Sequence, residues 1–241
     1  MGENNNKIIL DLCGGTGSWS QPYKDAGYTV FNITLPNFDI LKTGIGGDSI
    51  TFWPPNGNGK SHIAPLVLAK GDVYGIIAAP PCTMFSFART NAKKPRDLTE
   101  GMSCVRSCLE IVWACMEVQQ DTKKKTIPLQ FWALENPYHG FLKKFLGKPA
   151  FTFDPWEFGE AYQKRTALWG HFNEPVKNPI QMTEEAKAKA KTNSTLHTLG
   201  TKFDYLKSKD IHPEAFGKFD RQTRRSITPH KFALAFFEAN P

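Results

Sequence analysis

Two residues in this chain carry chemistry that their neighbours make conspicuous. Cys82 stands behind two prolines in Ala79-Pro80-Pro81-Cys82, and Glu135 lies in Ala133-Leu134-Glu135-Asn136-Pro137. Each follows an apolar run with strand character. A thiol at a strand's carboxyl end sits where α/β sheets place their ligands, and oriented amides or a following helix would lower its pKa and enlarge the nucleophilic thiolate fraction. A carboxylate at a second strand end can act as a general acid or hydrogen-bond the edge of a base. A third segment, Tyr162-Gln163-Lys164-Arg165-Thr166, sets an amide and two cations at the edge of another strand, which suits an anionic or carbonyl-bearing substrate. A fourth, Asp11-Leu12-Cys13-Gly14-Gly15-Thr16-Gly17, is a glycine turn that lets a ligand approach the backbone closely. Nucleotide, dinucleotide and S-adenosylmethionine sites all share such a turn, and taken alone it is equally an ordinary tight turn.

Positioning these groups requires strands that end together. The run Lys7–Leu12 predicts a buried strand, Ser18–Ala26 a helix closed by Gly27, and Tyr28–Ile33 a second strand, which together make a βαβ unit. Residues 44–60 are rich in Gly, Pro and Asn and read as a loop or hairpin. Val73–Ala79 predicts a strand stopped by Pro80-Pro81. Met102–Gln119 reads as a helix, Leu129–Leu134 as a strand stopped by Asn136-Pro137, and Thr166–Phe172 as a further strand. Pro229–Ala239 predicts an amphipathic helix capped by Thr228, with Pro229 at its first position. Strands alternating with helices argue for an α/β fold with a doubly wound, mostly parallel sheet.

The chain has 241 residues, 40% hydrophobic and 22% charged, which is ordinary globular composition for about one domain. No apolar run reaches the length of a membrane span, and the polar start has no signal-peptide core. Five cysteines, an odd number, point to a reducing compartment rather than a disulfide framework, so the expected location is cytoplasmic. A net charge of +7 favours an anionic partner, nucleic acid above all. Gly57-Asn58-Gly59-Lys60-Ser61 lacks the first glycine of a phosphate loop, where Pro54 stands. Cys104, Cys108 and Cys115 have no metal-site spacing and read as core thiols; no metal site is expected.

Taken in order, the four segments resemble the DNA cytosine-5 methyltransferase family. Asp11 to Gly17 looks like its S-adenosylmethionine motif, Pro80-Pro81-Cys82 with Phe85-Ser86 its nucleophile motif, Glu135-Asn136 its glutamate motif, and Gln163-Lys164-Arg165 its Gln-x-Arg motif. Arg225-Ser226-Ile227-Thr228-Pro229 is similar to its closing motif, and the compact length and Phe-Phe-Glu-Ala-Asn ending are similar to bacteriophage members. The resemblance implies a class I methyltransferase core over residues 1–172, a small target-recognition insert over 173–224, and a C-terminal helix over 225–241 that returns to the core. It implies S-adenosylmethionine as cofactor, DNA as partner, a monomer, and methyl transfer to C5 of cytosine in a short sequence context through a covalent Cys82–C6 adduct. Cys82, Glu135 and Arg165 are then the catalytic set. Asp11, Cys13, Gly14, Gly15, Thr16, Gly17, Trp19, Thr34, Asp39, Ile40, Pro80 and Ser226 hold the cofactor. Pro81, Ser86, Asn136, Gln163, Lys164, Arg221, Arg224 and Arg225 meet the substrate.

The chain departs from the family at several points. No acidic residue ends the second strand, so Thr34, Asn32 or another residue takes the cofactor ribose. Ala167 replaces the second arginine of the Gln-x-Arg motif, leaving its base contact to Arg165 or Lys164, or to a different geometry. The same chemistry on RNA or a free cytidine nucleotide is the alternative enzyme reading. An inactive nucleic-acid-binding homologue is the alternative from another class.

Overall fold

The β-branched run Ile8–Leu12 forms β1, and its near-continuous burial is that of a strand covered on both faces. Thr29–Ile33 forms β2, Val73–Ala78 β6 and Phe131–Pro137 β7; β2, β1, β6 and β7 lie side by side and parallel. Thr166–His171 forms β9, antiparallel to β7, and Phe151–Phe153 forms β8 beyond it. The result is a mixed, mostly parallel six-stranded sheet in the order β2-β1-β6-β7-β9-β8. Gly44–Gly46, Ser49–Phe52 and Leu66–Ala69 form β3, β4 and β5, a separate antiparallel sheet of three strands. This computed structural model describes residues 4, 6–55, 63–87, 93–118, 129–160, 162, 164–179, 217–219 and 221–241.

Alternate strand residues face opposite sides of the sheet, and each side has its own helices. On one side Leu10, Leu12, Ile76, Ala78 and Leu134 meet Val105, Cys108, Ile111 and Val112 of helix α2, Leu98–Val118. On the other, Ile9, Ile77, Phe131 and Phe153 pack with Trp19, with Tyr23 of helix α1 (Gln21–Asp25), and with Phe232 and Phe236 of the last helix, His230–Ala239. Phe153 and Phe232 stack with centroids 3.8 Å apart. The architecture is therefore α/β with helices on both faces, compatible with a Rossmann-like fold. Among the described residues no helix is long and apolar enough to cross a membrane.

Several boundaries differ from the sequence expectation for definite reasons. The first helix covers only Gln21–Asp25, with Pro22 at its start, and Ser18 and Trp19 remain in the turn. Helix α2 begins earlier, at Leu98. The run 44–60 contributes a true hairpin, β3 to β4. Asn136-Pro137 does not stop β7; both residues pair with β9, and Pro137, without an N–H, is the last residue of the strand. The closing segment is two helices rather than one. Arg221–Ser226 forms α4 and His230–Ala239 forms α5. Pro229 sits outside α5 with φ −55° and ψ 128°, and a residue that precedes a proline, as Thr228 does, is disfavoured in helical conformation. Helix α3, Lys143–Leu146, lies between β7 and β8. Most of the insert expected over 173–224 lies outside the described residues, as does Gln163.

Candidate active site

Residue pairing across β6 and β7 sets Ala78 beside Leu134. Glu135 is the next residue of β7, and Cys82 follows four residues after Ala78, in the loop that leaves β6. Thus both sequence-selected groups arise at the same carboxyl end of adjacent parallel strands. The loop is held in three places. The buried Asn136 Nδ2 donates to the Pro80 carbonyl (3.0 Å), the Cys82 carbonyl accepts from the Phe85 and Ser86 amides (2.9 Å each), and the Phe141 amide donates to the Phe85 carbonyl (2.9 Å). Ser86 also bridges Gly140, and the Arg96 guanidinium donates to the Met84 and Ser86 carbonyls. The sequence reading did not select Arg96; charge alone does not separate it from neighbouring Lys93 and Lys94.

The electrostatics of Cys82 correct one expectation. Its thiol is pushed up rather than lowered, first by burial and then by the Glu135 charge, while Lys164 and Arg225 pull the other way. The chain after Cys82 forms a turn rather than a helix whose N-terminus would favour the thiolate. Glu135 is also pushed up by burial, opposed by Lys164. Cys82, Glu135, Lys164 and Arg225 therefore form one electrostatic unit. Lys164 Nζ additionally donates to the Ile227 carbonyl (3.2 Å), which ties the start of β9 to the α4–α5 linker.

Arg165 is placed elsewhere. Its guanidinium donates to Thr152 Oγ1 (2.9 Å) and lies 3.3 Å from Asp154 and 3.4 Å from Glu157. It faces the β8 side, and of this adjacent pair it is Lys164 whose charge acts on Cys82. Successive residues entering a strand point to opposite sides, so only one of this pair can face the thiol.

At the glycine turn, Asp11 is fully buried and its carboxyl is pushed up to about 6 by burial, against the Ser20 hydrogen bond and the Lys24 charge. Ser20 Oγ donates to Asp11 Oδ2 at 2.6 Å, while Oδ1 has no hydrogen-bond partner. A Cβ on Gly14 would lie 2.2 Å from the Asp11 carboxylate, so this glycine is required by Asp11 itself. At Gly15, φ +54°, an added Cβ would meet nothing within 4 Å, so the backbone opens onto free space. Cys13 has φ +56°, and Thr16 is exposed beside Gly15. Asn32 Nδ2 donates to the Gly15 carbonyl (3.1 Å), bracing the turn from β2. The Thr34 carbonyl accepts from the Asn37 and Phe38 amides as the chain turns toward Asp39. Asp39 accepts from the Leu41 amide (3.1 Å), capping a short helical turn that begins at the buried Ile40.

The remaining candidate residues are held in several ways. Trp19 is 2% exposed and packs edge-on to Phe236 at 5.3 Å, a core position. Ser226 donates to the Thr223 carbonyl within α4 (2.7 Å). The hydroxyl joining the closing segment to the glycine turn belongs to Ser18, which accepts from the Thr228 amide (2.9 Å). Arg224 donates to the Phe219 carbonyl (2.8 Å). Arg221 begins α4, Pro80 is buried, and Pro81 is exposed beside Cys82. Cys108 and Cys115 belong to α2 and are buried on its core side. Among the described residues no group of His, Cys, Asp or Glu could hold a metal ion. No protein-family model matches the chain, and no curated protein matches it.

Proposed function

We propose that this chain is a DNA cytosine-5 methyltransferase that uses S-adenosylmethionine. The observation that carries the reading is the Cys82–Glu135 pair at the carboxyl ends of two adjacent parallel strands, facing Lys164. Carbon 5 of cytosine is a weak nucleophile, and adding a thiolate at C6 divides one hard step into easier ones. Cys82 loses its thiol proton to solvent, against the burial that holds it, and the thiolate forms the S–C6 bond. Burial favours a protonated Glu135, which can donate its proton to N3 as the addition pushes the ring's electron density onto that nitrogen, leaving Glu135 as the carboxylate. Lys164 opposes the negative charge shared between thiol and carboxyl. Loss of the C5 proton to water then re-forms the C5–C6 double bond, and the S–C6 bond breaks to return Cys82 as the thiolate.

The glycine turn fits the cofactor. Gly15 leaves its backbone open, the conformations at Cys13, Gly15 and Gly17 are held with positive φ, and Asn32 steadies the loop where the family has an acidic residue. S-adenosylmethionine, when bound there, supplies an electrophilic methyl group. A cytosine in duplex DNA must first leave the stack, at a cost of about a few kcal/mol, which phosphate contacts by a basic protein offset.

The test is nucleoside mass spectrometry. Duplex DNA incubated with the protein and S-adenosylmethionine is digested and searched for 5-methyldeoxycytidine. The parent yields it and Cys82→Ala does not. Equal product from Cys82→Ala removes the proposed nucleophile. Product on RNA or cytidine nucleotides but not on DNA reassigns the substrate.

A further inference from the structure

The connection from β7 to β8 carries a charge pattern that the reaction does not use. From Pro137 to Phe153 the chain has no acidic residue, and it holds Lys143, Lys144 and Lys148 with His139. Two of its three lysines, Lys143 and Lys144, rest on aromatic rings instead of carboxylates. Lys143 Nζ lies 4.4 Å from the Tyr138 ring centroid and Lys144 Nζ 5.2 Å from that of Phe141, whose ring Arg96 also covers at 4.7 Å. A ring positions a cation without neutralising it. Among the described residues no carboxylate pairs with Lys143, Lys144, Lys148 or Arg96, in contrast to Arg165 and Lys177, which face Asp154 and Glu157.

This segment adjoins the Cys82 loop. The Phe141 amide bonds the Phe85 carbonyl, Ser86 bridges Gly140, and the exposed Phe87 ring meets Phe141 edge-on at 4.9 Å. Phe87 and Phe145 are each about half exposed, at 48% and 49%. Uncompensated cations interleaved with exposed rings, beside a loop that receives a base, complement a polyanion that presents flat bases.

We propose that Lys143, Lys144 and Lys148 contact the phosphate backbone of the nucleic-acid strand bearing the target base, forming a rail alongside the Cys82 loop. The proposal rests on a nucleic-acid substrate at that loop. Ammonium groups act as point charges on phosphates and do not read base edges, so the rail adds affinity without sequence preference.

Fluorescence anisotropy of a labelled duplex, titrated at several salt concentrations, tests it. Each neutralised phosphate adds about 0.9 to the slope of log K against log salt. The triple variant Lys143→Gln, Lys144→Gln, Lys148→Gln is expected to flatten that slope by about 2.7, so that between 50 and 200 mM salt the parent loses about 40-fold more affinity than the variant. The loss at low salt is the same on every duplex sequence. The triple arginine variant restores the slope, and Lys7→Gln, at the opposite end of β1, leaves it unchanged. A folded glutamine variant with the parental melting temperature and the parental slope overturns the rail while leaving the substrate reading intact. A parent that binds no nucleic acid overturns both.

Discussion

Burial and a neighbouring carboxylate both keep the Cys82 thiol protonated, and Lys164 and Arg225 oppose them. The pH dependence of alkylation by iodoacetamide therefore reads the site directly. Glu135→Gln removes a charge that raises the thiol, so the midpoint of its alkylation profile moves to lower pH; Lys164→Met removes one that lowers it, so the midpoint moves up. Movement in the opposite sense for either variant would break the electrostatic unit described above. Asp11 allows a stability measurement on the same principle. Its carboxyl titrates near 6 when folded and near 3.8 when free, so the folded state holds the proton more tightly. Its ionisation cost, roughly 3 kcal/mol, is carried in full above pH 6 and disappears as the pH falls through 6 toward 3.8. Urea denaturation of Asp11→Asn between pH 4 and 6 is expected to lack the parent's decline in stability with rising pH. An unchanged decline places the titration on another group.

At the scale of elements, the strands are legible because their apolar runs are short and bounded by glycine or proline: Ile8–Leu12 before the glycine turn and Val73–Ala78 before Pro80-Pro81. Side-chain direction is not legible in the same way. Lys164 and Arg165 are adjacent and both cationic, and only the positions of Asp154, Glu157 and Thr152 across β8 and its following turn show which one turns away. Trp19 has the same character, since Phe232 and Phe236 more than two hundred residues later bury it. The family resemblance puts Asn136 against the substrate, and its buried amide also bonds the Pro80 carbonyl and so connects β7 to the nucleophile loop. Asn136→Ala leaves that carbonyl without its partner and is expected to cost about 1–3 kcal/mol in urea denaturation. It is also expected to change the alkylation rate of Cys82, because the loop loses one of its ties. Loss of stability with an unaltered alkylation rate would make Asn136 a packing residue with no hold on the loop geometry.

Across the whole molecule, the last helix closes the fold and reaches both halves of the site. Asn240 accepts from the Asn173 amide (2.7 Å) and donates to the Asn173 carbonyl (3.0 Å), and Tyr23 donates to the Asn240 carbonyl (2.9 Å). These bonds join the chain just after β9 and helix α1 to the end of α5, whose Phe232 and Phe236 fill one face of the sheet. The linker preceding α5 then touches the glycine turn through Thr228 and Ser18, and the nucleophile unit through Ile227 and Lys164. Asn240→Ala removes the two side-chain bonds to Asn173 at a cost of about 1 kcal/mol each. If α5 acts as one lever, amide exchange should accelerate not only at Asn173 but also at Thr228, just before the helix begins. Exchange confined to Asn173 would mean that the helix is anchored by its phenylalanines alone, and that the glycine turn and the thiol site are held independently of the chain's closing contacts.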